Sequence, residues 1–114
     1  MMTDINLHII GLGNLGQSFL NGFNNIDHGF NIYLYEENSE VVNNLNTTYE
    51  IQESIDDIDD GVVLLCIKPN DLNDFINLSK SKLSSGVLIA SPIAGITISH
   101  YENNFENKII RLMP

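Results

Sequence analysis

The sequence predicts a doubly wound α/β fold in one domain, with a mostly parallel sheet and helices on both of its faces. Short apolar runs alternate along the chain with segments whose apolar residues repeat at helical spacing, as in a parallel sheet with helical crossovers. The clearest run, 62–67, is aliphatic without a polar face, which suits a strand covered on both sides. The length of 114 residues is that of a single domain.

Each predicted strand is one of these short apolar runs. The first run ends at Gly11, and the run at 62–67 is stopped by Lys68 and Pro69. The predicted strands are 6–10, 31–35, a brief 49–51, 62–67, 87–90 and 108–112, after which the chain reaches Met113 and Pro114.

Four helices are predicted between the strands. The apolar residues of the first follow the spacing i, i+4, i+5, i+8 from Leu15, which places them on one face. The other three begin at residues that cap helices well: the second at about Ser39, the third at Asn70 or Asp71, and the fourth at Thr97.

The net charge of −10 argues against two classes of partner. The sequence has no basic stripe of the kind that binds nucleic acid, and its acidity disfavours an anionic membrane surface. No apolar run approaches the roughly 20 residues of a membrane span, and 1–4 lack the basic start of a secretory leader. The single cysteine, Cys66, allows no internal disulfide. We therefore expect a cytoplasmic protein.

A glycine-rich turn follows the first strand and opens the first helix: Gly11-Leu12-Gly13-Asn14-Leu15-Gly16. In this context a G-x-G-x-x-G pattern indicates dinucleotide binding by a Rossmann domain. Gly11 permits the tight turn, Gly13 lets the backbone approach a pyrophosphate, and Gly16 lets the helix pack close to the strand. The free N–H groups that start the helix would meet the phosphate charge.

The residue that closes the second strand is acidic. Glu36 stands about 20 residues past the glycine turn, where dinucleotide folds place an acid that accepts hydrogen bonds from the adenosine ribose. No lysine or arginine occurs from Met1 to Ile67, so a 2′-phosphate beside Glu36 would face repulsion without a local cation. The sequence therefore favours NAD(H) over NADP(H).

Four motifs, in order along the chain, resemble the N-terminal domain of the pyrroline-5-carboxylate reductase family. The segment 10–16 is similar to that family's I-G-x-G-N-M-G turn, and 66–69 to its A-V-K-P stretch. The segment 93–97 resembles A-A-G-V-T, and 108–114 resembles K-I-I-R-x-M-P. The resemblance covers nearly all of the chain.

The resemblance implies that Ile67, Lys68 and Pro69 border the nicotinamide half of the cofactor, with Ala94 and Gly95 across the cleft. It also implies hydride transfer from NAD(P)H to 1-pyrroline-5-carboxylate, which gives proline. In that family a helical domain follows the Met-Pro motif and supplies dimerisation and much of the substrate pocket. We therefore expect this chain alone to bind cofactor only, and a C-terminal domain or partner chain to complete the site.

The sequence departs from the family pattern at two places and leaves two other interpretations open. Glu36 stands where the family often has a small hydroxyl residue or arginine and uses NADP, and Pro92 lies just before the third motif, 93–97. A deazaflavin-dependent NADP oxidoreductase has the same type of N-terminal domain, although the Met113-Pro114 ending speaks against it. The other interpretation is a truncated, non-catalytic module that binds dinucleotide or a partner.

No catalytic acid or base and no metal site is assigned. His8, His28 and His100 are widely spaced and lack the neighbours of a metal site. His8 is expected to hydrogen-bond to backbone or solvent. Cys66 lies in the most apolar strand and is expected to be a buried, unreactive thiol.

Overall fold

The computed structural model describes residues 5–112, which form a six-stranded sheet. The strands are β1 Ile5–Ile10, β2 Phe30–Tyr35, β3 Ile51–Gln52, β4 Val62–Leu65, β5 Leu88–Ser91 and β6 Ile109–Arg111. Their order is β3-β2-β1-β4-β5-β6, and every neighbouring pair is parallel. The chain builds outward from β1 to β3 and then crosses to the other side of β1. The predicted doubly wound sheet is confirmed.

Helices cover both faces of the sheet, also as predicted. They are α1 Asn14–Asn24, α2 Ser39–Asn44, α3 Leu72–Ser79 and α4 Ile98–Glu102, and a 3-10 turn, Pro69–Asp71, precedes α3. On one face, Leu7 and Ile9 of β1 share an apolar cluster with Leu20 of α1. On the other, a second cluster includes Phe75 of α3 and Tyr101 of α4. No helix within 5–112 is long and apolar enough to cross a bilayer.

The connection from β3 to β4 contains no helix. Ile58 is buried there and forms an isolated parallel bridge with Leu83. Its acidic neighbours face solvent: Asp56, Asp57, Asp59 and Asp60. Ile58 and the partly buried Ile55 therefore anchor this acidic loop to the core.

Several element boundaries differ from the predicted ones. The strand predicted at 62–67 ends at Leu65, and β3 starts two residues later than expected. Asn38 rather than Ser39 caps α2, because its side-chain oxygen accepts the N–H groups of Glu40 and Val41 at 3.0 and 3.4 Å. Asp71 precedes α3 without a side-chain cap, whereas Thr97 caps α4 as predicted.

Candidate functional site

The carboxyl ends of β1, β2, β4 and β5 meet at one edge of the sheet. The strand order reverses between β1 and β4, and open α/β sheets bind ligands beyond such a point. The residues that the sequence assigns to a cofactor follow these strands at that edge: Gly11, Leu12, Gly13, Asn14, Leu15 and Gly16 after β1, Glu36 after β2, Ile67, Lys68 and Pro69 after β4, and Ala94 and Gly95 after β5.

Gly11 and Gly16 allow α1 to start directly against the ends of β1 and β4. Gly11 has a φ of +96°, and a Cβ there would lie 2.7 Å from the carbonyl oxygen of Cys66. A Cβ on Gly16 would overlap the carbonyl oxygen of Gly11. Since both obstructing atoms belong to the backbone, a larger residue at either position would have to move the main chain.

Gly13 is exposed, and its surroundings are open. A Cβ added there would meet no atom within 4 Å. Gly13 is the N-cap of α1, no side chain caps this helix, and its first turn contains no acid. The N–H groups of that turn and the positive end of the helix dipole therefore lie beside open space, which fits a phosphate group.

The carboxylate of Glu36 joins the end of β2 to the glycine turn. Its Oε1 accepts the Leu12 N–H at 2.7 Å, and its Oε2 accepts the Asn38 N–H at 2.9 Å. A carboxylate offers about four acceptor positions, so two backbone donors leave it able to accept hydroxyl groups as well. The half-buried Glu36 is thus fixed in place and still open to a ligand.

The turns after β4 and β5 are neighbours because these two strands pair directly. Lys68 and Pro69 are exposed in the first turn, and Ala94 and Gly95 in the second. Gly95 has a φ of +80°, a backbone conformation that favours glycine. The residues assigned to the nicotinamide half of the cofactor therefore come together, while their contact with it stays a prediction.

A buried hydrogen bond that the sequence analysis did not predict lies beneath the turn after β5. The hydroxyl groups of Ser91 and Tyr101 are 2.5 Å apart, and Ser91 Oγ also accepts the Ile93 N–H at 3.2 Å. Ser91 is 1% exposed and Tyr101 0%. A tyrosine on the inward face of a helix needs a buried partner for its hydroxyl, which is the one sequence signal for such a pair.

A comparison with known protein families shows to which family this chain belongs. A family model described as coenzyme F420-dependent NADP oxidoreductase matches residues 6–95, from β1 through the turn after β5. The chain belongs to this family. The matched residues include the glycine turn and Glu36, and they end before Met113 and Pro114, which also lie outside the residues that the structure describes.

As a member of this family, the chain is an NAD(P)-binding oxidoreductase domain, and it is related to pyrroline-5-carboxylate reductase. Pyrroline-5-carboxylate reductase 1 of Bacillus subtilis (strain 168) is 30% identical to it over 116 residues, which cover 92% of the chain and 38% of that protein. The two kinds of enzyme that the sequence suggested, a pyrroline-5-carboxylate reductase and a deazaflavin-dependent NADP oxidoreductase, therefore both have this type of domain.

The fold recurs in a more distant solved structure. A Rex-family repressor superposes with a TM-score of 0.59 at 17% sequence identity, over 96% of this chain and 53% of that one. At this identity the likeness supports the fold alone. This chain therefore spans 38% of the length of the Bacillus subtilis reductase and 53% of the length of the repressor chain.

Two buried polar side chains are not among the residues assigned to the cofactor: Cys66, which follows β4 and lies against the glycine turn, and His8 of β1. Cys66 is buried, and desolvation raises the pKa of its thiol to about 12, which matches the expected unreactive cysteine. His8 bonds to a side chain that the sequence did not predict: its Nδ1 lies 3.0 Å from the Tyr35 hydroxyl, and its buried Nε2 has no hydrogen-bond partner of good geometry among the described residues. Within 5–112, no three potential metal ligands cluster.

Proposed function

We propose that this chain binds a nicotinamide dinucleotide across the carboxyl edge of its sheet and prefers NAD(H) to NADP(H). The observation that carries the proposal is Glu36, an acid held by the Leu12 N–H beside the open, uncapped start of α1. This arrangement places an acceptor for ribose hydroxyls, after β2, beside donors for a pyrophosphate, after β1.

Each part of the cofactor has its own set of residues in this proposal. Glu36 accepts the adenosine ribose hydroxyls, and the glycine turn faces the pyrophosphate with its backbone N–H groups. The nicotinamide end lies against the two neighbouring exposed turns, after β4 and β5: Ile67, Lys68, Pro69, Ala94 and Gly95.

The preference for NAD(H) follows from charge. The acids Glu36 and Glu37 follow β2, and the chain carries no lysine or arginine from Met1 to Ile67. A 2′-phosphate would carry about two negative charges to this place without a nearby cation. The ribose diol of NAD(H) instead donates to the carboxylate.

We further propose that the whole protein is a pyrroline-5-carboxylate reductase. When bound, a reduced nicotinamide would supply hydride to the imine carbon of 1-pyrroline-5-carboxylate, and with one proton on the ring nitrogen the product is proline. The described residues bind and orient the cofactor, and we assign none of them to proton transfer. A helical domain or a partner chain would complete the substrate pocket, and the cytoplasm is the proposed location.

A second candidate is hydride exchange between NADP and a deazaflavin coenzyme, which the description of the matching family model favours. The deazaflavin coenzyme separates the two candidates, because only the second candidate requires it. Calorimetric titration with NADH and with NADPH, at equal salt, is expected to give saturable binding that is several-fold tighter for NADH. Tighter NADPH binding would contradict the proposed NAD(H) preference, and no binding of either by the folded chain would contradict both candidates.

A further inference from the structure

We propose that Ser91 and Tyr101 are positioning residues for the nicotinamide half of the cofactor, because their buried hydrogen bond holds the turn 92–95 that would contact it. The inference rests on the proposed dinucleotide binding. It adds to the proposed site two buried residues, which lie beneath the turn 92–95 and do not contact the cofactor themselves.

Ser91 stands where the backbone leaves the sheet. It is the last residue of β5 and pairs in register with Arg111 of β6, and its carbonyl accepts the Leu112 N–H at 2.8 Å. Beyond it, Pro92 has no N–H with which to continue the ladder. The sheet therefore fixes the turn only up to Ser91.

The Ser91 hydroxyl continues this restraint into the turn. Its Oγ accepts the N–H of Ile93, the residue directly before the exposed Ala94 and Gly95. Ile93 is itself 5% exposed and belongs to the cluster that contains Tyr101. The position of Ala94 and Gly95 thus depends on where the Ser91 side chain is held.

Tyr101 holds that side chain from α4. Its hydroxyl is within hydrogen-bond distance of Ser91 Oγ, and both side chains are closed to water. Burial raises the pKa of the Tyr101 phenol, against smaller opposing effects of Ser91 and Arg111, so it stays protonated at neutral pH. An unpaired hydroxyl would be costly in this interior, which favours one fixed arrangement.

Removing only the hydroxyl group separates this role from packing. Tyr101→Phe keeps the ring in the core, and Ser91→Ala removes the other partner. Tyr35→Phe is the matched control, since it removes another buried tyrosine hydroxyl, the one bonded to His8 on β1. All three variants are compared with the wild-type chain after circular dichroism has shown that they are folded.

The test titrates each chain with NADH and with ADP-ribose, which lacks the nicotinamide. We expect Tyr101→Phe and Ser91→Ala to raise the Kd for NADH roughly fivefold and to leave the Kd for ADP-ribose within about twofold. Tyr35→Phe is expected to change neither. Equal weakening of both ligands, or an unchanged Kd for NADH in both variants, would overturn the positioning role alone. A wild-type chain that binds neither ligand would overturn the proposed function with it.

Discussion

The carboxylate of Glu36 accepts the backbone N–H of Leu12 at 2.7 Å, so the end of β2 and the glycine turn after β1 are joined by one charge-assisted hydrogen bond. The side chain proposed to bind the ribose therefore also holds the turn proposed to bind the pyrophosphate. Placing the ribose acceptor and the phosphate donors in one fixed arrangement lowers the ordering cost of binding a ligand that spans both.

Glu36→Gln tests this coupling, because the amide keeps the shape of the side chain and removes its charge. We expect the Kd for NADH to rise about tenfold and the preference for NADH over NADPH to narrow, measured by calorimetry. Glu37→Gln is the control, since it changes the net charge equally at an exposed neighbour. Equal effects of the two variants would show that only the overall charge matters.

Gly16→Ala is expected to destabilise the fold, because the new methyl group would overlap the carbonyl oxygen of Gly11. The cost is about 1–3 kcal/mol or more, as for other overpacked positions. Gly22→Ala, in the same helix and with no atom within 4 Å of the added Cβ, is expected to stabilise it by about 0.5–1 kcal/mol. Thermal unfolding would measure both, and shifts of the same sign would contradict this account.

Gly13→Ala is expected to separate binding from stability. Its φ of −73° suits alanine, and the methyl group would enter open space, so the free energy of unfolding should change by less than about 1 kcal/mol. The same methyl group would occupy the place proposed for the pyrophosphate, and we expect NADH affinity to fall at least tenfold. Unchanged affinity in this variant would place the cofactor elsewhere.

The sequence predicted the sheet and the glycine turn because their signals are local. Apolar runs identify buried parallel strands wherever they pair, and both the positive φ of Gly11 and the contact of Gly16 with the Gly11 carbonyl arise within one turn of chain. The acid at Glu36 was predictable for the same reason. Its bond to the Leu12 N–H was not, because that depends on how the ends of two strands lie side by side.

The sequence did not predict the two buried side-chain pairs, because each depends on how distant segments pack together. Ser91 reaches Tyr101 only after a turn and a helix fold back onto β5, and His8 meets Tyr35 across two strands. At the start of α2, Asn38 and Ser39 are both good capping residues, so local propensity could not choose between them.

His8 is expected to make stability depend on pH. The ring is buried in β1, stacked on Tyr33 at a centroid distance of 5.0 Å, and its Nε2 has no partner within the described residues. Desolvation lowers its pKa below the usual 6.5, although Asp60 opposes this shift. A lowered pKa in the folded state means that the unfolded chain binds the proton more readily. The contribution of His8 is therefore complete above about pH 6.5 and is lost as the pH falls through the pKa of the folded state.

His8→Phe removes this titration and keeps an aromatic ring against Tyr33. The variant leaves the Tyr35 hydroxyl without its partner and is expected to be less stable at pH 7.5, by about 1–3 kcal/mol. The informative quantity is the difference in the free energy of unfolding between wild type and variant, measured by urea denaturation from pH 7.5 to 5. That difference should shrink as the pH falls, because only the wild type has this buried imidazole to protonate. A difference that stays constant would show that His8 is not desolvated in the folded protein, and one that grows would show that Asp60 outweighs burial and raises the pKa.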